Sequence, residues 1–385
     1  MLRKLKRNAT AGGGFIVLCI LLYLYLSENC TISTPIFLQP NVKEQSSHAE
    51  LYASQAKVSR RSATYKYSWP KCERNISMSN VTDFGSLPRN IQDFLYHRHC
   101  LHFPMLLDNP DKCGGPEGSA EVFLLLVIKS APPNHDRREM LRKTWAKDRL
   151  YNGVWIRRIF ISGTMGSGPE KRRLNKLLEL EQQKYGDILQ WDFSDTFYNL
   201  TLKQVLFLEW TERNCPGVRF MLNGDDDVFA HTENMVLYLQ SLEDNDGSKH
   251  LFTGHLIHYV GPIRDRGSKY FVPVQVHESE SYPPYCGGGG YILSGYTAMV
   301  IYNMSQSITL IPIDDVYFGM CMEKAGLGPE SHPAVKTAGL HIPNVEDYDP
   351  CYYKEMLLVH RVLSENMYLL WERIHGPNLK CFGSS

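Results

Sequence analysis

Apolar and polar positions alternate in blocks that change period along the chain. The unbroken run Val122-Phe-Leu-Leu-Leu-Val-Ile128 predicts a strand covered on both faces, and Ile159-Phe-Ile161, residues 188–193 and residues 218–222 predict three more. Between them the period shifts to that of a helix. Residues 136–145 form one candidate, and residues 169–185 a longer one with Leu174, Leu177 and Leu178 on one face. A third places Leu202, Val205, Leu206 and Trp210 at i, i+3, i+4 and i+8. Strands alternating with helices predict an α/β layer domain with a mainly parallel central sheet.

The amino-terminal pattern is of another kind. No residue between Arg7 and Glu28 is charged, and Phe15 to Leu26 is continuously apolar. Asn8 to Ser27 makes 20 uncharged residues, about one bilayer crossing. A cleavable signal peptide is the rival interpretation, but no small-x-small site follows Leu26, and Tyr23 and Tyr25 suit an interfacial belt. Arg3, Lys4, Lys6 and Arg7 hold the short end in the cytosol, so the body lies across the membrane. The expected organisation is a cytoplasmic tail 1–7, a signal anchor 8–27, a lumenal stem 28–115 with a cysteine-containing cap from about residue 72, and a catalytic domain 116–385 opened by Gly114-Gly115-Pro116.

Composition agrees with a lumenal body and narrows the partners. The 385 residues carry 41 Lys plus Arg against 41 Asp plus Glu, a neutral balance without the basic field that nucleic acid demands. Glycosylation sequons begin at Asn75, Asn80, Asn199 and Asn303, with a fifth at Asn29 close to the bilayer. Of 10 cysteines, setting aside Cys19 and Cys30 leaves an even number for an oxidising compartment, with no Cys-x-x-Cys pair to suggest zinc or thioredoxin chemistry.

Two acidic sites stand out against this background. Phe220-Met-Leu-Asn-Gly-Asp225-Asp226-Asp227-Val-Phe229 puts three carboxylates at the end of an apolar strand, where ligands bind in α/β sheets and where only a cation relieves their repulsion. Ile311-Pro-Ile-Asp314-Asp315-Val-Tyr-Phe-Gly319 reads as a helix start, a place where a carboxylate facing a cleft serves as a general base. Between them, Gly287 to Gly290 permit close backbone approach, although such a run taken alone predicts a flexible loop. The spacing matches neither a dinucleotide fingerprint nor a P-loop. Lys129-Ser130 and the basic segment around Arg137, Arg138 and Arg142 are candidates for phosphate or for the acids nearby. His360 lies in apolar text and by itself reads as a core residue.

Taken together, Arg-Arg-Glu-x-Leu-Arg-x-Thr-Trp (137–145), Gly-Asp-Asp-Asp-Val-Phe (224–229), Tyr-Cys-Gly-Gly-Gly-Gly-Tyr (285–291) and Asp-Asp-Val-Tyr-x-Gly (314–319) resemble the β-1,3-glycosyltransferase family. Gly186-Asp-Ile-Leu-Gln-Trp-Asp-Phe193 with Leu200-Thr-Leu-Lys-Gln204 resembles its β-1,3-N-acetylglucosaminyltransferases. Phe94-Leu-Tyr-His-Arg-His-Cys100 and Tyr348-Asp-Pro-Cys-Tyr-Tyr353 are most similar to members that extend core 1 mucin-type O-glycans.

The resemblance implies a GT-A-like fold in a Golgi type II membrane protein, and an inverting, Mn²⁺- or Mg²⁺-dependent transfer from UDP-GlcNAc to the 3-hydroxyl of a β-galactose on a glycoprotein or glycolipid. It implies Asp315 as base with Asp314 as neighbour, Asp227 and His360 on the metal, and Asp225 and Asp226 on the donor sugar or ribose. Lys129, Ser130, Arg137 and Arg138 would meet the nucleotide, and Gly287 and Gly288 would wall the transferred sugar. It also suggests Cys215–Cys286 and Cys321–Cys351 bridges, and leaves a homodimer open. A β-1,3-galactosyltransferase using UDP-Gal, a non-catalytic glycan-binding protein and a metal-dependent phosphodiesterase are the alternatives at this stage.

Overall fold

The computed structural model describes residues 72–337, 348–377 and 379–381. The expected tail, the anchor and the first half of the stem lie outside the described residues; among those described, no helix is long and apolar enough to cross a membrane.

The predicted strands form, and all four belong to one sheet. Val122–Lys129 (β2) is buried along its whole length, as its unbroken apolar run requires. Its side chains alternate between two cores: Val122, Leu125 and Val127 join one, Phe123, Leu124, Leu126 and Ile128 the other. Val154–Thr164 (β4), Ile188–Ser194 (β5) and Phe220–Asp225 (β6) lie parallel beside it in the order β5-β4-β2-β6. The flanks are antiparallel. Met105–Leu107 (β1) pairs β5, Arg149–Tyr151 (β3) pairs β4, and Tyr285–Ser294 (β9) runs against both β6 and Phe252–Ile257 (β8). Glu330–Ser331 (β10) closes the far edge parallel to β8. The sheet is therefore mixed, parallel at its centre. A second, three-stranded sheet joins Val228–Ala230 (β7), Val335–Lys336 (β11) and Leu358–His360 (β12).

The helices form close to the expected bounds, at His135–Lys143, Gly168–Tyr185 and Leu200–Asn214. One expectation fails in detail, because Leu177 is 49% exposed while Leu174 and Leu178 are buried. The buried stripe continues instead through Glu181, whose charge meets Arg138 and Arg142. The residues of the expected cap pack onto the main domain: β1 extends its sheet, and Phe84, Ile91 and Phe94 join the same core as β2.

The cysteine pairing departs from both suggested bridges. Cys215 pairs with Cys113, Cys351 with Cys381, and Cys72 with Cys100, while Cys286 and Cys321 are buried free thiols. The reason is topological. The end of the Leu200–Asn214 helix tucks against the start of β2, where the Gly217 amide donates to Ser119 Oγ at 2.8 Å, and that brings Cys215 to Cys113. Cys286 sits in β9 opposite Leu256 of β8. Burial, reinforced by the Asp315 carboxylate, keeps its thiol protonated. Of the sequon asparagines, Asn80 and Asn303 are exposed; Asn75 and Asn199 are half-buried, and Asn199 Nδ2 donates to the Ser194 carbonyl.

Candidate active site

Parallel pairing of β2 with β6 sets Lys129 opposite Asp225, so the carboxyl ends of the two strands deliver a cation and a carboxylate to one place. Lys129 Nζ lies 3.1 Å from Asp225 Oδ1, 3.0 Å from Asp314 Oδ2 and 3.0 Å from the Gly288 carbonyl. Burial works against its charge, but the two carboxylates outweigh it and hold the ammonium protonated well above its usual range.

After Asp225 the chain turns through Asp226 and Asp227 into β7. Asp226 is 4% exposed and points into protein: its carboxylate accepts from Ser130 Oγ at 2.8 Å, Asn134 Nδ2 at 2.7 Å and Arg137 at 2.8 Å. It anchors the turn. Trp145 adds a second anchor, its indole donating to the Val228 carbonyl at 3.0 Å. Antiparallel pairing of β7 with β12 then sets His360 opposite Val228. His360 Nε2 thereby reaches within 3.3 Å of Asp227 Oδ1 and 3.7 Å of Asp225 Oδ2. Its Nδ1 is 3.2 Å from the Thr337 carbonyl; donation there leaves Nε2 as the atom aimed at the carboxylates.

The electrostatics of this cluster are uneven. Burial, with repulsion from Asp314 and Asp227, raises the Asp225 pKa despite Lys129. Burial also opposes charge on Asp227, but His360 and Arg137 beside it lower its pKa overall. His360 is raised in turn, its burial outweighed by Asp227 and Asp225. Asp225, Asp227 and His360 offer ligand atoms that all lie within 4.8 Å of one another. Among the described residues, Asp227 Oδ1 is buried without a hydrogen bond, with His360 Nε2 3.3 Å away. Two carboxylates and an imidazole, one oxygen waiting for a partner, fit a divalent cation.

The second acidic site closes the other side. Asp314 and Asp315 open the Asp314–Lys324 helix, whose first-turn amides favour negative charge. Asp314 is buried against Lys129 and near Gln204, which exchanges two amide hydrogen bonds with Asn223 of β6. Asp315 Oδ2 accepts from the Gly288 amide at 2.8 Å, and Oδ1 from Val316 N at 2.8 Å. Burial first, and the Asp314 charge second, push its pKa up to about 7. A carboxyl with that affinity exchanges a proton readily at neutral pH.

The glycine run is a strand and not a loop. Residues 287–290 lie within β9, and side chains of the site occupy the space that Cβ atoms would need. A Cβ on Gly288 would stand 3.1 Å from Asp315 Oδ2, one on Gly289 2.5 Å from His360 Cγ, and one on Gly290 2.4 Å from Leu358 Cδ1. The glycines let both acidic sites press onto one strand.

Of the residues singled out from sequence, Lys129, Asp225, Asp227, Asp314, Asp315, His360, Gly287 and Gly288 converge here, with Arg137 at the rim. Arg138 does not. It is 1% exposed, chelates Glu181 and spends its other donors on Ser130 Oγ and the carbonyls of Ala131 and Pro132. Ser130 is likewise inside, bonded to Asp226 and Arg138. Asn134 and Thr337 belong to the site without any motif to announce them, and Asn223 lies within the acidic motif without being singled out, because their roles depend on neighbours far away in the chain.

The galactosyltransferase family model matches residues 136–333, which span the turn, the glycine strand and the Asp314–Lys324 helix. A human N-acetyllactosaminide β-1,3-N-acetylglucosaminyltransferase 3 is 52% identical over 313 residues, covering 80% of this chain and 82% of its own. The human acetylgalactosaminyl-O-glycosyl-glycoprotein β-1,3-N-acetylglucosaminyltransferase is 48% identical, covering 81% of each chain. The Mus musculus UDP-GlcNAc:βGal β-1,3-N-acetylglucosaminyltransferase 7 is 39% identical over 80% of this chain and 77% of its own. With the acidic turn, the Asp314–Lys324 helix and the glycine strand in the matched region, the chain belongs to the galactosyltransferase family and, within it, to the β-1,3-N-acetylglucosaminyltransferases, which are hexosyltransferases.

Proposed function

We propose that this protein transfers N-acetylglucosamine from UDP-GlcNAc to the 3-hydroxyl of a terminal β-galactose, inverting the anomeric carbon in a single displacement on a GT-A-type scaffold. The observation that carries the reading is the placement of Asp315, whose carboxylate accepts from the Gly288 amide at 2.8 Å on the strand whose next glycine, Gly289, packs against His360; burial and Asp314 raise its proton affinity. Ionised, Asp315 takes the acceptor proton as that oxygen bonds to the anomeric carbon, and the bonding pair of the breaking C–O bond departs with UDP. Asp314 stays paired to Lys129, so it tunes Asp315 by its charge and does not itself face the reaction. Arg137 is the rim cation suited to a diphosphate, and Lys129 keeps the packed carboxylates from repelling one another.

Asp225, Asp227 and His360 would hold a divalent metal, Mn²⁺ by its tolerance of mixed oxygen and imidazole ligands, and its charge would stabilise the leaving diphosphate. The likeness to the human acetylgalactosaminyl-O-glycosyl-glycoprotein transferase and the similarity of residues 94–100 and 348–353 favour galactose of core 1 O-glycans as acceptor, with N-acetyllactosamine as the alternative. An anchor over residues 8–27 would make this a single-pass type II protein of the Golgi membrane, and the three disulfides suit that oxidising lumen.

The test is the detergent-solubilised full chain with Mn²⁺, each sugar nucleotide, and a core 1 or N-acetyllactosamine disaccharide. Transfer from UDP-GlcNAc that EDTA abolishes is the expected result. Transfer from UDP-Gal alone, or none from a folded chain that still binds UDP, overturns the reading.

A further inference from the structure

The register of β8 against β9 slips at the glycines. Gly254 lies opposite Tyr291 and Leu256 opposite Cys286, so a single residue of β8, His255, faces the whole run from Gly287 to Gly290. β9 bulges there, and a bulge re-aims the side chains around it. The His255 ring turns to Thr337, the residue after β11: its Nδ1 lies 3.3 Å from the Thr337 amide nitrogen and 2.9 Å from Thr337 Oγ1. An amide N–H can only donate, so Nδ1 accepts from both groups and the ring proton sits on Nε2. Burial, and after it the Lys336 charge, lower the His255 pKa and keep the ring a neutral acceptor.

The same threonine holds His360, its carbonyl 3.2 Å from His360 Nδ1. Parallel pairing of β11 with β12 sets Val335 opposite Leu358 and Lys336 opposite Val359, which brings Thr337 level with His360. β11 is only two residues long, so Thr337 falls beyond the ladder and its carbonyl is no steadier than whatever grips that residue. His255 supplies the grip, on amide and hydroxyl together. Gly287 makes room for it: a Cβ there would stand 2.4 Å from Thr337 Oγ1. An imidazole ligates through one nitrogen while the other carries the proton, and the partner of that N–H sets the direction of the ring.

We propose that His255 and Thr337 are positioning residues for His360: His255 clamps Thr337, whose carbonyl keeps the proton on His360 Nδ1 and Nε2 turned toward Asp225 and Asp227. The proposal rests on the reading of Asp225, Asp227 and His360 as a divalent-metal site.

Four variants of the full chain in detergent test it. Thr337→Val removes the hydroxyl at nearly constant shape and Thr337→Ser keeps it; His255→Leu removes the acceptor and His255→Asn, of similar size, keeps one. Mn²⁺ affinity in the presence of UDP, read from the paramagnetic resonance of the free ion, should fall about tenfold in His255→Leu and about fivefold in Thr337→Val, which retains the amide bond. Thr337→Ser and His255→Asn should stay within about twofold of wild type. A fall smaller than about twofold in either damaging variant overturns the proposal, as does an equal fall in the conservative ones, which would mark a packing role. The second readout is metal-free: nitrogen NMR of the histidine rings at about pH 9, above the ordinary imidazole titration, with His360 assigned through His360→Gln. A single Nδ1–H tautomer of His360 that becomes mixed in Thr337→Val and His255→Leu is expected. An unchanged tautomer in both overturns the proposal. If the wild type binds no Mn²⁺, the metal reading alone falls and the tautomer decides the positioning. Should Thr337→Val fail to fold, the two His255 variants decide by the same criteria.

Discussion

Two buried charge clusters lie on the same sheet, and they differ in balance. Beneath the His135–Lys143 helix, Arg138, Arg142 and Arg158 meet Glu181 and Asp187 in close pairs: Arg142 chelates Asp187 with two bonds of 2.9 Å, and Arg158 Nε joins it at 2.7 Å. At the strand ends, Asp225, Asp227, Asp314 and Asp315 share Lys129, Arg137 and His360, and Asp227 Oδ1 is left without a donor. The first cluster satisfies itself and is scaffold; the second is incomplete and is the proposed site. Titration separates them too. Burial would raise Glu181, but Arg138, His135 and Arg142 pull it down to about 2, whereas burial and Asp314 send Asp315 up to about 7.

The contrast breaks most sharply at Asp315. Asp315→Asn should cut turnover by about a thousandfold while UDP-GlcNAc still binds with Mn²⁺, measured by steady-state kinetics beside calorimetry. The same substitution should stabilise the fold at pH 8 and not at pH 4. A carboxyl raised in the folded state from 3.8 to about 7 costs nothing while protonated in both states, and destabilises as pH climbs toward 7. Equal melting shifts at both pH values would contradict its environment. Breaking the scaffold should act on stability instead: Asp187→Ala strands Arg142 and Arg158 and should cost about 3–5 kcal/mol in urea unfolding. A near-neutral result would mean that the pairs are not desolvated as the burial indicates.

Smaller effects sharpen the comparison. Asp227→Ala should abolish the Mn²⁺ dependence of UDP binding by calorimetry and lower the melting temperature slightly at neutral pH, since His360 and Arg137 favour its carboxylate in the folded state. Gly289→Ala should displace His360 and weaken Mn²⁺ binding about tenfold, read by the same calorimetry. Glu181→Gln should flatten the stability profile only at the acid end. The wild-type contribution of Glu181 is present above pH 4.5 and lost as pH falls toward 2.

The parts of this molecule that were legible in sequence are those whose cause is local. β2 announced itself because burial on both faces leaves no polar position, and the acid triplet because three like charges beside apolar text need a counter-charge. Motif similarity brought Asp315 and His360 into the picture, where composition alone made His360 a core residue. What could not be read depends on distant neighbours. The glycine run became a strand because Asp315, His360 and Leu358 occupy its missing side chains. Cys215 found Cys113, 102 residues away, and Arg138 found Glu181, both through packing that no short window contains.

The proposed metal cluster joins distant parts of the chain: its carboxylates come from β6 and the following turn, its imidazole from β12, beyond residue 357. During synthesis the acidic turn leaves the ribosome well over a hundred residues ahead of the histidine it needs. If Asp225, Asp227 and His360 hold an ion as proposed, a chain cut short before Leu358 would keep every carboxylate of the motif and lack the third ligand, so tight retention of the ion would certify that translation had run nearly to completion.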